Sequence, residues 1–360
     1  YNFNTDSVDI VGWGSNIANE LNIPPGLKNV VQLCAGDYSS LALKTDGTVV
    51  GWGDGQLQYG GKIDVPNWVN DLVSIDLDGY FRLGLKSDGT VIAWGYNGQG
   101  QTNVPANLNN VIQISAGSFH CLALKEDGTV VAWGVIDFNE STIPVGLTNV
   151  VQVATGFGFS VCLKKDGTVI AWGKYLEDNI NLNWVPMYVP AGLNNVKQIR
   201  AGENHIIVLK SDNTLYAWGR SRENQTLIPN GINNILEFDA GYLHNVVLKK
   251  DGELVAWGNN SYNETTIPTC LKNVINIASP LSSQNIAISR LYIKTDKNNG
   301  GLISPTQFVK YGDNFRITYQ PNIGYKIDSI FINDVYDPQI TKDSLNGCSF
   351  KNIQHYQCIK

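Results

Sequence analysis

Short runs in which every second residue is apolar, each closed by Gly or by Asp-Gly, fill the first 290 residues of the chain. Between Pro105 and Trp133 there are three of them. Val111 to Ala116 ends at Gly117, His120 to Lys125 ends at Asp127-Gly128, and a third run ends at Trp133. A period of two marks a strand with one buried face, and Asp-Gly between two such runs marks a tight hairpin. A fourth strand is expected at Gln101-Thr102-Asn103-Val104, on an outer edge, because the proline after it cannot donate to a ladder. Each unit is thus expected to be a four-stranded antiparallel sheet.

The pattern repeats. Trp-Gly occurs at Trp13, Trp52, Trp94, Trp133, Trp172, Trp218 and Trp257, at intervals of 39, 42, 39, 39, 46 and 39 residues. An Ile-Pro or Val-Pro pair follows each, with its proline at Pro24, Pro66, Pro105, Pro144, Pro190, Pro229 or Pro268. From each of the first six prolines to the next tryptophan is always 28 residues, so all length variation falls between Trp and Pro. A fixed unit with variable connectors is a repeat architecture, and antiparallel sheets repeated about seven times at this period close into a propeller. At the ends, Asn273 to Ala278 and Asn285 to Ser289 lack a third strand, whereas Val8 to Gly14 is a third strand without the other two. The expected fold is therefore all-β: a seven-bladed β-propeller over residues 1–290, closed by the N-terminal strand.

The unit Ala-Gly-x-x-His-x-x-Ala-Leu-Lys-x-Asp-Gly-Thr-Val-x-Ala-Trp-Gly, clearest from Ala116 to Gly134, resembles the repeat of the family named for the regulator of chromosome condensation. The short form with Gly-Gln-Thr-x-Val-Pro (Gly100 to Pro105) is similar to the bacterial secreted branch that includes the beta-lactamase inhibitor protein II. That resemblance implies a seven-bladed propeller with a protein-binding role. Asp78 and Pro280 depart from it, standing where other units have glycine. Residues 291–360, with Gly300-Gly301-Leu302-Ile303-Ser304-Pro305, Tyr311-Gly312-Asp313 and Pro321-Asn322-Ile323-Gly324-Tyr325, resemble a single internalin-type B-repeat. A second, small β-rich domain is expected there, of the spacer type found on extracellular bacterial proteins.

Composition narrows the function. A net charge of -6 with 16% charged residues and no basic run excludes a nucleic-acid surface, and no apolar run approaches a membrane span. Beginning at Tyr1 rather than Met, the chain reads as processed or excised. Cys34, Cys121 and Cys162 replace small strand residues and are expected as buried free thiols. Cys348 and Cys358 flank the hairpin-like stretch Ser349 to Gln357; a disulfide across it is one reading and two free thiols the other.

Strand direction puts the loop after each Ala-Gly and the loop after each Trp-Gly on one face, with the Asp-Gly hairpins on the opposite one. Aromatics beside single charges collect on the first face, a composition typical of a protein interface. The expected partner-binding residues are Tyr38, Asp54, Tyr80, Tyr96, Phe119, Phe157, Tyr175, Trp184, Glu203, Arg220 and Tyr242. The two long connectors, Asp54 to Ile63 and Lys174 to Tyr188, extend the same side. His120, His205 and His244 share one repeat position, but equivalent positions of separate blades diverge around the axis, so they read as structural hydrogen-bonders and no metal is expected. Lys44, Lys86, Lys125, Lys164, Lys210 and Lys249 are each followed two residues later by Asp46, Asp88, Asp127, Asp166, Asp212 or Asp251, and read as hairpin shoulders. The sequons at Asn139, Asn224 and Asn263 align with Gly100, where Asn supplies the same left-handed backbone; a fourth lies at Asn259.

No nucleophile, base and orienting acid can be assembled, so neither an enzyme nor a cofactor is expected. The sequence points to an extracellular or surface-associated binding module, secreted or on a virion, that presents an aromatic loop face to a protein or glycan and serves in adhesion. Two alternatives are a structural subunit of a surface fibre or sheath, which would self-associate, and a soluble inhibitor of a secreted enzyme.

Overall fold

The computed structural model describes residues 8–36, 38–53, 64–78, 80–178, 182–269, 271, 273–279 and 283–290, and then 292–293, 301–303, 307–308, 315–321, 331–332, 335–336, 341–343 and 347–350. Up to residue 290 these form seven antiparallel sheets in sequence order, the blades of a propeller. Blade 1 comprises Val30–Gly36, Ser39–Lys44 and Val49–Gly53, and blade 2 comprises Leu72–Asp78, Phe81–Lys86 and Val91–Gly95. Blade 3 follows with Val111–Ala116, His120–Lys125 and Val130–Gly134, and blade 4 with Val150–Thr155, Phe159–Lys164, Val169–Asp178 and Asn183–Pro186. Blade 5 is Val196–Ala201, His205–Lys210 and Leu215–Gly219, and blade 6 is Ile235–Ala240, His244–Lys249 and Leu254–Gly258. In blade 7, Val274–Ala278 and Gln284–Arg290 are completed by Val8–Gly14, which pairs antiparallel with Gln284–Arg290 from Val8 opposite Arg290 to Gly14 opposite Gln284.

One correction concerns the fourth strand. Among the described residues only blade 4 has one, and Gln101 to Val104 is a turn. Its backbone groups are already taken: Gly100 N–H donates to Asn97 O and Asn103 N–H to Gly100 O. The Gln101 carbonyl accepts from the Trp133 indole at 2.8 Å and from the Cys121 thiol at 3.4 Å. No ladder is left to form.

Seven apolar clusters fill the seven seams between blades. At the seam of blades 7 and 1, Ile10, Ile286 and Ile288 meet Val30, Leu33 and Trp52; at that of blades 6 and 7, Trp13, Ile277 and Ala287 meet Val246 and Leu248. First strands of neighbouring blades are stitched to one another by glutamine amides, which places them in the inner ring. Gln32 Nε2 donates to Ile75 O (2.7 Å) while its Oε1 accepts from Ile75 N (3.0 Å), and Gln113 and Gln152 do the same to Val153 and Ile199. A side-chain amide here replaces the strand that each inner edge lacks.

Two residues further along these strands, Asp76 Oδ2 accepts from Ala116 N at 2.9 Å and Asp239 Oδ2 from Ser279 N at 2.7 Å. Arg200 Nε stands 3.7 Å from Asp239 Oδ1. Burial pushes the carboxyls of Asp76 and Glu237 up to about 7 and raises Asp239 as well, the nearby Arg200 offsetting this only in part. A carboxyl whose folded pKa is raised contributes stability below its unfolded pKa and loses it as pH rises to the folded value. Asp76 Oδ1 also accepts from Leu77 N at 2.9 Å, so an amide can serve only one of the two donors; Asp76→Asn is therefore expected to lose stability near pH 4 and to recover part or all of that loss at pH 8, where the native carboxylate is ionised. Thermal melts of the two proteins at both pH values check this.

A connector latch escaped the sequence reading. Glu20, Gln101, Glu140, Gln225 and Glu264, each four residues before its proline, are essentially fully buried. Their side chains close their own turns, as when Glu140 Oε2 accepts from Phe138 N at 2.7 Å. Their carbonyls accept from Trp52, Trp133, Trp172, Trp257 and Trp13 at 2.8 to 3.1 Å. The repeated tryptophan thus ties these five blades to the connectors that enter them.

Beyond residue 291, Gly301–Ile303, Phe315–Pro321, Gly347–Phe350 and Thr341–Asp343 form a four-stranded sheet, and two further short pairs join Tyr292–Ile293 to Gln307–Phe308 and Phe331–Ile332 to Val335–Tyr336. Cys348 stands on one of these strands, and the Cys348 to Cys358 pairing lies outside the described residues.

Candidate functional site

The loop after each Ala-Gly and the loop after each Trp-Gly do share one face. They are joined by backbone hydrogen bonds: Tyr96 N–H to Tyr80 O (2.9 Å), Val135 to Phe119 (3.0 Å), Arg220 to Asn204 (2.9 Å) and Asn259 to Leu243 (2.9 Å). This close approach explains the glycine after tryptophan. Gly134 has φ 101°, and a Cβ there would stand 2.5 Å from Phe119 O.

Two clusters of half-buried rings occupy the part of the face over blades 1 to 4. Tyr38 stacks on Tyr80 with centroids 5.8 Å apart and planes at 24°, and Tyr80 meets Tyr96 edge-on at 6.2 Å. Phe119 meets Phe157 edge-on at 5.7 Å, Phe157 lies 5.6 Å from Trp184, and Trp184 stacks on Phe138 at 4.1 Å. Trp184 is carried by the extra strand of blade 4, so the longest connector leans over the turn between blades 3 and 4. Ile136 and Leu182, on the same two connectors as Phe138 and Trp184, are 64% and 67% exposed and add apolar surface beside the rings. Phe138, Ile136 and Leu182 were not singled out in the sequence, although Phe138 occupies a connector position filled by alanine or polar residues in blades 1 and 3.

Other expected contact residues turn inward. Tyr175, Glu203 and Arg220 are 5%, 8% and 4% exposed. Tyr175 packs with Met187 in the seam of blades 4 and 5, where burial raises its hydroxyl pKa. Arg220 grips Glu223 through Nε at 3.0 Å and Nη2 at 2.5 Å. Glu203 O accepts from Phe157 N at 2.9 Å, its Oε2 accepts from Asn204 Nδ2 at 2.7 Å, and Asn204 Oδ1 accepts from Leu176 N at 2.7 Å. These residues hold Phe157 and the long hairpin in place rather than meeting a solute. Tyr242 is half-buried over blade 6, and Asp54 lies outside the described residues.

The histidines are inside. His120 Nε2 reaches Ser160 Oγ at 2.9 Å, which donates to the Glu140 carbonyl at 2.8 Å; His205 and His244 reach Asn245 and Asn285 of the next blade in the same way. With its hydroxyl proton committed to Glu140, Ser160 accepts, so His120 carries its proton on Nε2. Burial lowers His120 to about 3 and His205 to about 4, and lowers His244 too. All three are neutral at pH 7. Their stabilisation is complete above the unfolded value near 6.5 and falls away as pH drops toward the folded values. Replacing His120 by phenylalanine, the residue blade 4 has at Phe159, is expected to move the acid-unfolding midpoint to lower pH, read by far-UV circular dichroism.

Among the described residues, no group of three or more His, Cys, Asp or Glu side chains is placed to hold a metal ion. Cys34, Cys121 and Cys162 are buried free thiols, with pKa values raised by burial, to about 11 for Cys162. The Lys-x-Asp-Gly hairpins sit on the opposite face, where Asp46 Oδ1 accepts from Thr48 N at 3.0 Å and Asp46 Oδ2 pairs with Lys44 at 3.2 Å. Asn139, Asn224 and Asn263 have φ of 62°, 61° and 63°, against 80° at Gly100, as the repeat alignment implies.

Residues 30–60, 111–137, 150–174, 196–225 and 235–264 match the family profile described as the regulator of chromosome condensation (RCC1) repeat. No curated protein matches the chain. Among solved structures, the fold is similar to that of Prp20p from Saccharomyces cerevisiae, with TM-score 0.64 and 19% identity over 79% of this chain and 92% of that one. Human WBSCR16 gives 0.60 and 17% over 79% and 99%. The ectodomain of the Physcomitrella patens receptor kinase CR4 gives 0.54 and 21% over 70% and 68%. These likenesses establish the propeller fold with RCC1-type repeats.

Proposed function

We propose that this chain is a non-catalytic binding module that seats a protein partner on the aromatic half of its loop face. The observation that carries this reading is the pair of ring clusters, Tyr38, Tyr80 and Tyr96 beside Phe119, Phe157, Trp184 and Phe138, on loops that differ from blade to blade above a regular scaffold. Rings that are partly covered yet reachable, next to exposed aliphatics, are what the centre of a protein interface is made of. Among the described residues, the histidines and thiols of the repeats are buried in the blades. Prp20p, whose fold is similar, is described by its binding to Gsp1p and histones; that precedent supports a protein partner in general and supplies no identity here.

An extracellular or surface location is proposed with it, from the likeness of the short repeat to the secreted branch, that of residues 291–360 to a B-repeat, and the receptor ectodomain among the similar structures. The test is a capture experiment from extracellular protein with the immobilised chain and its Tyr80→Ala/Phe157→Ala variant, run beside a glycan array. A protein held by the first and lost by the second is the expected result. Equal capture by both would overturn the reading, and binding on the array alone would replace the protein by a glycan.

A further inference from the structure

The face opposite the aromatic loops carries a regularity of its own. In every blade the pairing of the first two strands slips by one residue: Val30 faces Lys44 but Gln32 faces Leu43, and the same step recurs at Leu72/Ser74, Val111/Gln113, Val150/Gln152, Val196/Gln198, Ile235/Glu237 and Val274/Asn276. Such a bulge expels one side chain from the sheet. The expelled residues are Val31, Val73, Ile112, Val151, Lys197, Leu236 and Ile275. Five of them are aliphatic and 41% to 56% exposed. Each follows an Asn or Asp held at positive φ, from Asn29 at 60° to Asn273 at 54°, so the backbone is built to turn them out.

They lie at the starts of the inner strands, beside the Asp-Gly hairpins, because Leu72 N–H donates to Gly47 O, Val111 to Gly89, Val150 to Gly128 and Val196 to Gly167. The result is a ring of turned-out residues, aliphatic except at Lys197, inside the hairpins. Four hairpins hold one lysine and one aspartate close together, from 3.2 Å in Lys44 and Asp46 to 4.0 Å in Lys125 and Asp127, and the hairpin of blade 6 pairs Lys249 with Glu253. That outer ring is self-complementary: two such faces opposed meet no net like charge, and each lysine gains a second carboxylate across the contact. The pattern also matches itself in symmetry. A face that varies between blades suits a partner without the propeller's symmetry, whereas one that repeats suits a partner that repeats.

We infer that the hairpin face is the contact between two copies of this chain, stacked face to face through the bulge ring. An isologous contact of this kind closes at two and grows no further. Val8 and Arg290 also reach this face, at blade 7, so the copies must meet with that sector left free.

Sedimentation velocity on the full chain over about 1 to 100 μM tests it. The expected species is a dimer of the 39.5 kDa chain, and Ile112→Glu/Leu236→Glu should weaken it by 100-fold or more with an unchanged melting curve. Tyr38→Ala/Phe119→Ala, on the far face, should leave the dimer intact. A monomer throughout, an open-ended polymer, or a dimer indifferent to the two glutamates would each overturn the inference.

Discussion

A chain lacking residues 1–14 is expected to show no cooperative unfolding transition, and Trp13→Ala alone to lower stability by about 3 to 5 kcal/mol. Trp13 is 5% exposed, packs among Val246, Leu248, Val274 and Ile277, and donates its indole N–H to Glu264 O at 3.0 Å. Ile10, from the same strand, belongs to the next seam with Val30 and Trp52. One strand therefore feeds two seams and a seven-residue ladder, and its loss uncovers Ile286 and Ile288. That sum is comparable with the whole stability of an ordinary domain, about 5 to 15 kcal/mol. Urea unfolding followed by tryptophan fluorescence measures both variants. An unchanged midpoint in the truncated chain would mean that the ring holds without this strand.

The second large effect is on binding. Trp184→Ala is expected to cost at least about 2 kcal/mol of partner affinity, some 30-fold, while shifting the melting temperature little, because the ring is half-exposed and its ring contacts are with Phe138 and Phe157 on the same face. Tyr175→Ala should do the reverse. That side chain fills the seam of blades 4 and 5 with Met187, and its removal is expected to cost about 3 to 5 kcal/mol of stability, as for a large buried ring. Isothermal titration and thermal melts on both variants separate the roles. Equal loss of affinity in the two would make the face a by-product of folding.

The contrast shows which layers the sequence reveals. Blade number, hairpins and the split blade 7 follow from a strict spacing of Trp-Gly, Asp-Gly and proline, since backbone hydrogen bonding and glycine's left-handed conformations act locally. The hydrogen-bonding role of His120, His205 and His244 was also legible, because Ser39, Phe81 and Phe159 at the same position leave no ligand set. Gln101 to Val104 was misread as a strand because a buried glutamine satisfies that backbone by contacts with Trp133 and Cys121, far along the chain. Tyr175, Glu203 and Arg220 carry interface-like chemistry yet turn inward, and only the path of the long hairpin decides that. The bulge ring was visible as an Asn-Val or Asn-Ile pair in most units, but which valine points outward depends on a register slip that alternation alone does not show.

The most direct measurement places a photo-crosslinking phenylalanine analogue at Ile136 on the loop face or at Ile112 on the hairpin face and identifies what each captures. The structure predicts partner protein joined at Ile136, and at Ile112 only a second copy of the chain. Partner protein joined at Ile112 and absent at Ile136 would contradict the assignment of the aromatic loops as the binding face.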